Sequence, residues 1–198
     1  YLRKLNGENI RLQNKDYISD ISGDLLNPLF TSFFARDLIA PAQKFSVGPY
    51  RYVKDRGYSF EQKLSENTRG FLDKQLKDYL ADEKNAQIPL MFFNSVITRD
   101  SRKLIISTQP VRFMMRGVVD STVMPVADPD AVDFTSFFEK QDPYNIRMLT
   151  ALRMNATFPV VLPNVWLPSE PVIDVMDAGL RDNYGQETTL RFLSAFED

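Results

Sequence analysis

The chain contains no cysteine and no histidine in 198 residues. These two absences exclude Ser-His-Asp and Cys-His catalysis, zinc fingers, His-rich metal sites and disulfides. Glycine is sparse as well. The eight glycines, Gly7, Gly23, Gly48, Gly57, Gly70, Gly117, Gly179 and Gly185, are scattered along the chain. No two stand close enough to form Gly-x-Gly, Gly-x-Ser-x-Gly or a P-loop. Phosphate loops and nucleophile elbows need clustered glycines, because backbone N–H groups must approach an anion with no Cβ in the way. If the protein performs acyl transfer, its elbow and oxyanion loop lie outside these residues.

Charge is nearly balanced, with 24 basic and 26 acidic residues and a net charge of −2. No Lys/Arg cluster is long enough to track a phosphate backbone, so nucleic acid is not an expected partner. No apolar run reaches the roughly 18 residues that mark a transmembrane helix, and no signal-peptide pattern opens the chain. Absence of cysteine leans toward a reducing compartment, hence a cytoplasmic or membrane-peripheral location. The chain opens mid-pattern at Tyr1, as expected of a piece of a longer protein.

Hydrophobic periodicity predicts a helix over Leu25–Leu38 and, after a turn at Asp55–Gly57, another over Tyr58–Leu80 with a break at Gly70. Three β-like runs follow, Ile88–Val96, Lys103–Ser107 and Val111–Met115, the first two separated by a turn at Thr98–Ser101. Such near-continuous apolar strands suit a sheet covered on both faces. Val123–Asp133 reads as loop, with Asp133 capping a short helix through Phe138. Asp142-Pro143 predicts a further helix start, ending before Pro159. Val172–Met176 is expected as a strand and Gln186–Phe196 as a closing helix. Strands alternating with helices favour an α/β fold, with no domain boundary within residues 1–198.

The segment Val172-Ile173-Asp174-Val175-Met176-Asp177-Ala178-Gly179-Leu180-Arg181-Asp182-Asn183-Tyr184-Gly185 delivers Asp177 from an apolar run onto a turn of small residues. A carboxylate so fixed can take a proton from a nearby alcohol if it is partly desolvated. Together with Ala151–Pro159, this region resembles the C-terminal part of patatin-like phospholipases. There a "Ser-Ala-x-x-Pro" segment precedes a strand ending in Asp-Gly-Gly or Asp-Gly-Ala. Asp20–Pro28, Asp55–Glu61 and Pro89–Ser95 are similar, in the same order, to three further segments of large bacterial members. The resemblance implies part of an αβα sandwich with a mostly parallel central sheet, its N-terminal strands missing. It also implies a Ser–Asp dyad acting on lipid or ester substrates without metal or cofactor, with Asp177 as base and the serine upstream of this chain. Ala178 stands where the family has its first glycine. Gly179 permits close backbone approach, and Asn183 and Gly185 are expected to fix the following loop through an Asx-type turn.

Other residues invite weaker readings. Asn94 either lines the site or ends a strand, and Arg153 and Asn155 are expected at solvent-exposed helix positions. Asp128, Asp130 and Asp133 alternate as calcium ligands can, although loop-plus-cap explains them. Trp166, among prolines, is expected to be packing. The apolar face of Leu25–Leu38 suits either core or a lipid surface, so peripheral membrane contact is a further expectation. Missing N-terminal strands would leave sheet edge and apolar surface uncovered, so self-association is expected as well. The rival to the hydrolase reading is a non-catalytic binding or structural module, a degenerate relative of the family.

Overall fold

A computed structural model describes residues 15–39, 43–117, 128–158 and 161–197. Residues 123–127 of the loop expected over Val123–Asp133 and the stop at Pro159 lie outside them. Among the described residues two short helices come first, α1 (Lys15–Ile21) and α2 (Leu26–Ser32), the second continued by a π-helical turn over Phe33–Asp37. The hairpin β1 (Gln43–Val47) and β2 (Tyr50–Lys54) follows. Gly48, at φ +57, opens its two-residue loop, a position that favours a residue without Cβ. Then come α3 (Arg56–Asn67), α4 (Leu80–Lys84), β3 (Phe93–Ile97) and β4 (Lys103–Ile106). β5 (Ala131–Asp133), α5 (Phe134–Phe137) and α6 (Met148–Met154) lead to β6 (Val165–Leu167), β7 (Ile173–Asp177) and α7 (Gln186–Ser194).

Strands β3 to β7 form one sheet in the order β5-β4-β3-β7-β6. The molecule is α/β, but among the described strands the sheet is mostly antiparallel, not mostly parallel as the family likeness implies. Only β4 and β5 run parallel. The short turn between Ile97 and Lys103 forces β3 and β4 to be antiparallel, because a parallel return needs a crossover of a dozen or more residues. One face of the sheet packs Leu104, Ile106, Val132 and Val175 against Ala151 and Met154 of α6 and against Phe134 and Phe138. The other packs Ile105 and Ala131 with Val111, Met114 and Phe192 of α7.

Asp55 begins α3 rather than sitting in a free turn: its carboxylate accepts the Tyr58 N–H at 3.0 Å. The helix stops at Asn67, and Arg69 and Gly70 follow at φ 55 and 74, as the expected break requires. Val111–Met115 is not a strand but a 3₁₀ turn over Arg112–Met114. Its first N–H is taken by the Asp133 carboxylate at 3.2 Å instead of a neighbouring strand. Asp133 also caps α5, as expected, while its own backbone lies in β5, a strand within the predicted loop. Asp142-Pro143 opens only a 3₁₀ turn, since Asp142 adopts φ 47 and caps nothing with its side chain. On α2 and its continuation, Leu29 is buried, whereas Leu26, Phe30, Phe34 and Leu38 form an exposed stripe four residues apart.

Arg153 is not solvent-exposed but 5% accessible. Its guanidinium meets Asp55 at 2.6 Å and Glu61 at 3.8 Å, and Glu61 also accepts from Arg147 at 2.8 Å and Thr150 at 3.1 Å. Burial pushes the Glu61 carboxyl upward, opposed by Arg153 and Arg147. Gly57 lies flat against the Arg153 guanidinium, where a Cβ would collide with it. Gly57→Ala should therefore lower stability by about 1–3 kcal/mol in urea unfolding, the usual cost of overpacking. An unchanged midpoint would show that Arg153 can withdraw without penalty.

Candidate functional site

Asp177 closes β7, directly opposite Ser95 of β3 in an antiparallel pair, so the two side chains leave the same face of the sheet. The carboxylate accepts the backbone N–H of Gly179, the middle residue of the 3₁₀ turn Ala178–Leu180. Half-buried, Asp177 pairs with no Lys or Arg among the described residues. Ala178 is buried without needing a left-handed backbone, so a side chain is tolerated at that position. Gly179 is the constrained one. A Cβ there would lie 2.8 Å from Asp177 Oδ1 and 3.3 Å from Asn183 Oδ1.

The loop beyond is not fixed by an Asx-type turn at Asn183. The neighbouring Asp182 does this work. Its Oδ1 accepts the Glu187 N–H at 3.1 Å, and its Oδ2 accepts the Thr188 N–H at 2.9 Å and hydroxyl at 2.7 Å. Gly185, at φ 66, supplies the left-handed entry to α7. Lys103, only 1% exposed, reaches Asp182 at 3.3 Å and Glu187 at 2.5 Å. Arg191 joins Glu187 to Asp130, and Arg181 reaches Asp130 at 3.1 Å and the Ser101 carbonyl at 2.8 Å. Three cations and three carboxylates thus clamp the segment after Asp177 onto β4, β5 and α7. Burial alone would raise the pKa of Asp182, but the Thr188 and Glu187 donors and Lys103 outweigh it and hold it below the ordinary aspartate range. Asp130 and Glu187 are depressed likewise, against burial, by Arg191 and by Lys103 and Arg191 respectively.

Asn94 is buried and its backbone N–H donates to Asn155 Oδ1 at 2.8 Å. Asn155 in turn donates to the Ala151 carbonyl at 2.7 Å, so it ties the end of α6 to β3 instead of facing solvent as a free helix position. Asn94 Oδ1, Ser95 Oγ and Thr157 Oγ1 are buried with no hydrogen-bond partner among the described residues. Native interiors leave few such groups. Ser95 stands opposite Asp177, so one unsatisfied hydroxyl shares the face of the candidate base, while Asn94 lies near Gly185. Nothing in the residue pattern marked Lys103 or Ser95, because the residues set against them, Asp182 and Asp177, lie about 80 positions away, while Asp182, whose partners Glu187 and Thr188 are local, takes the place expected of Asn183.

The calcium reading of Asp128, Asp130 and Asp133 finds no support: Asp130 serves two arginines and Asp133 caps α5. Among the described residues no group of three carboxylates is arranged to hold a metal ion.

Family models, curated proteins and solved structures were all compared, and none matches the chain. The assignment of a role to Asp177 therefore rests on its geometry and on the likeness of the motifs.

Carboxylates with depressed pKa values contribute stability that is present above their unfolded values and lost as pH falls through the folded ones. The urea midpoint should accordingly fall steeply below about pH 4, the ordinary carboxylate range. Asp182→Asn should be less stable at neutral pH and show a shallower fall. An identical acid limb in the two proteins would remove Asp182 from this account.

Proposed function

We propose that this chain forms the C-terminal part of a patatin-like serine acyl hydrolase, with Asp177 as the base of a Ser–Asp dyad. The nucleophilic serine is supplied by sequence outside these 198 residues, since no glycine-flanked serine elbow occurs within them. One observation carries the reading. Asp177 is a half-buried carboxylate at the tip of an interior strand, oriented by a backbone N–H and left without a cation, while Asp182, Glu187 and Asp130 around the following turn are committed to ion pairs.

In the proposed reaction the serine hydroxyl attacks an ester carbonyl and Asp177 takes its proton. The protonated carboxyl then passes the proton to the departing alcohol. Water, deprotonated by the same carboxylate, releases the acyl group and regenerates the serine. Backbone N–H donors outside the chain would hold the oxyanion, each contributing on the order of 3 kcal/mol. The mechanism calls for no histidine, in keeping with the composition. The Gly179 N–H is the orienting group: it fixes one carboxylate oxygen and leaves the other for the alcohol.

In the full-length protein, Asp177→Asn should reduce ester hydrolysis by about a hundred- to ten-thousandfold, the usual contribution of a positioned base. Unchanged turnover would favour the non-catalytic module instead. Gly179→Ala should act differently. Its methyl group meets only the ends of the Asp177 and Asn183 side chains, so thermal stability should hold while turnover falls on the order of a hundredfold. Full activity in this variant would mean that the carboxylate position does not matter.

A further inference from the structure

A cavity of about 570 Å³ lies between the β1–β2 hairpin, α3, α6 and the β6–β7 edge of the sheet, within the size range of small-molecule sites. Asp177 is not among its lining residues, and the inference drawn from it is independent of any role for that residue. Most of the charges that line it are already compensated. Asp37 meets Arg56 at 2.8 Å, Asp55 meets Arg153 at 2.6 Å, and Glu61 meets Arg147 at 2.8 Å. Lys54 stands over the rings of Phe45 and Tyr58 at 6.0 and 5.8 Å.

Asp174 is different. Its Oδ2 accepts only from neutral groups, the Thr98 hydroxyl at 3.3 Å and the Asn164 amide at 3.2 Å. Its Oδ1 is buried with no partner among the described residues. A partly desolvated carboxylate served by neutral donors alone has no cation set against it, and an oxygen so buried without a partner calls for an explanation. Trp166 pairs directly with Asp174 across β6 and β7, placing the indole on the same face, yet it is 64% exposed. An accessible indole beside an unpaired carboxylate is the combination that recognises an organic cation, the ring through its face and the acid through its charge.

We propose that this cavity binds a small organic ammonium ion, with Asp174 balancing the charge and Trp166 covering the alkyl groups. Asp174 lines the cavity and Asp177 does not, so the ammonium site is separate from the dyad position.

Trp166 is the only tryptophan, so its fluorescence reports on the site directly. Tetramethylammonium chloride, titrated at constant ionic strength against sodium chloride, should change the emission saturably with a midpoint on the order of 1 mM, typical of a small ligand held by a few contacts. The neutral analogue tert-butyl alcohol should produce no saturable change. Asp174→Asn, checked for folding by circular dichroism, should weaken the midpoint about tenfold or more, as loss of a charge partner does. A flat titration of the unaltered chain would overturn the proposal. So would an equal response to tert-butyl alcohol, which tests the charge requirement without any substitution, or an unshifted midpoint in folded Asp174→Asn.

Discussion

The antiparallel contact between β3 and β7 holds this molecule together. Three residue pairs, Ser95 with Asp177, Val96 with Met176 and Ile97 with Val175, join the β3–β4–β5 side of the sheet to the β6–β7 side. Register is as important here as pairing. A slip of one residue would turn Asp177 to the opposite face and bring Met176 in its place, exchanging the whole inward set of β7 for its outward one. The apolar alternation Ile173, Val175 against α6 opposes that slip, because it would take the fully buried Val175 out of the core.

The two faces of the sheet are stabilised by different means. The α6 face is largely hydrocarbon, with ion pairs kept to its margin at Arg153, Glu61 and Asp55. Behind the turn that follows Asp177, the opposite face carries a buried ionic cluster centred on Lys103. Burying such a cluster adds little net stability, since desolvation offsets attraction, but each member is costly to strand alone. Its contribution is one of definition: Asp182, Glu187 and Arg191 have one satisfactory arrangement, and that arrangement sets the path of residues 178–187. It also explains why Asp177 lacks a cation. Lys103, Arg181 and Arg191 are each committed to another carboxylate.

Periodicity and caps made much of the local structure legible. The β7 strand, the closing helix, the Asp133 cap and the break at Gly70 follow from short-range rules, and the structure bears them out within a few residues. Strand direction and the site's surroundings were not legible in the same way. Val111–Met115 has a strand's composition, but its first amide is claimed by Asp133, a partner no window around it contains. Arg153 and Asn155 sit on a helix whose exposed side could not be told apart before α3 and β3 were placed against it. Trp166 looked like packing because its neighbours are prolines; as the outward residue of an edge strand it faces water.

The stripe of Leu26, Phe30, Phe34 and Leu38 is already hydrated in the folded chain. Unfolding therefore exposes less new apolar surface than the hydrophobic composition alone suggests. The heat-capacity increment and the denaturant m-value, which both scale with newly exposed area, are correspondingly reduced. A smaller increment flattens the curve of stability against temperature, so the fold trades a sharp optimum for a broad one.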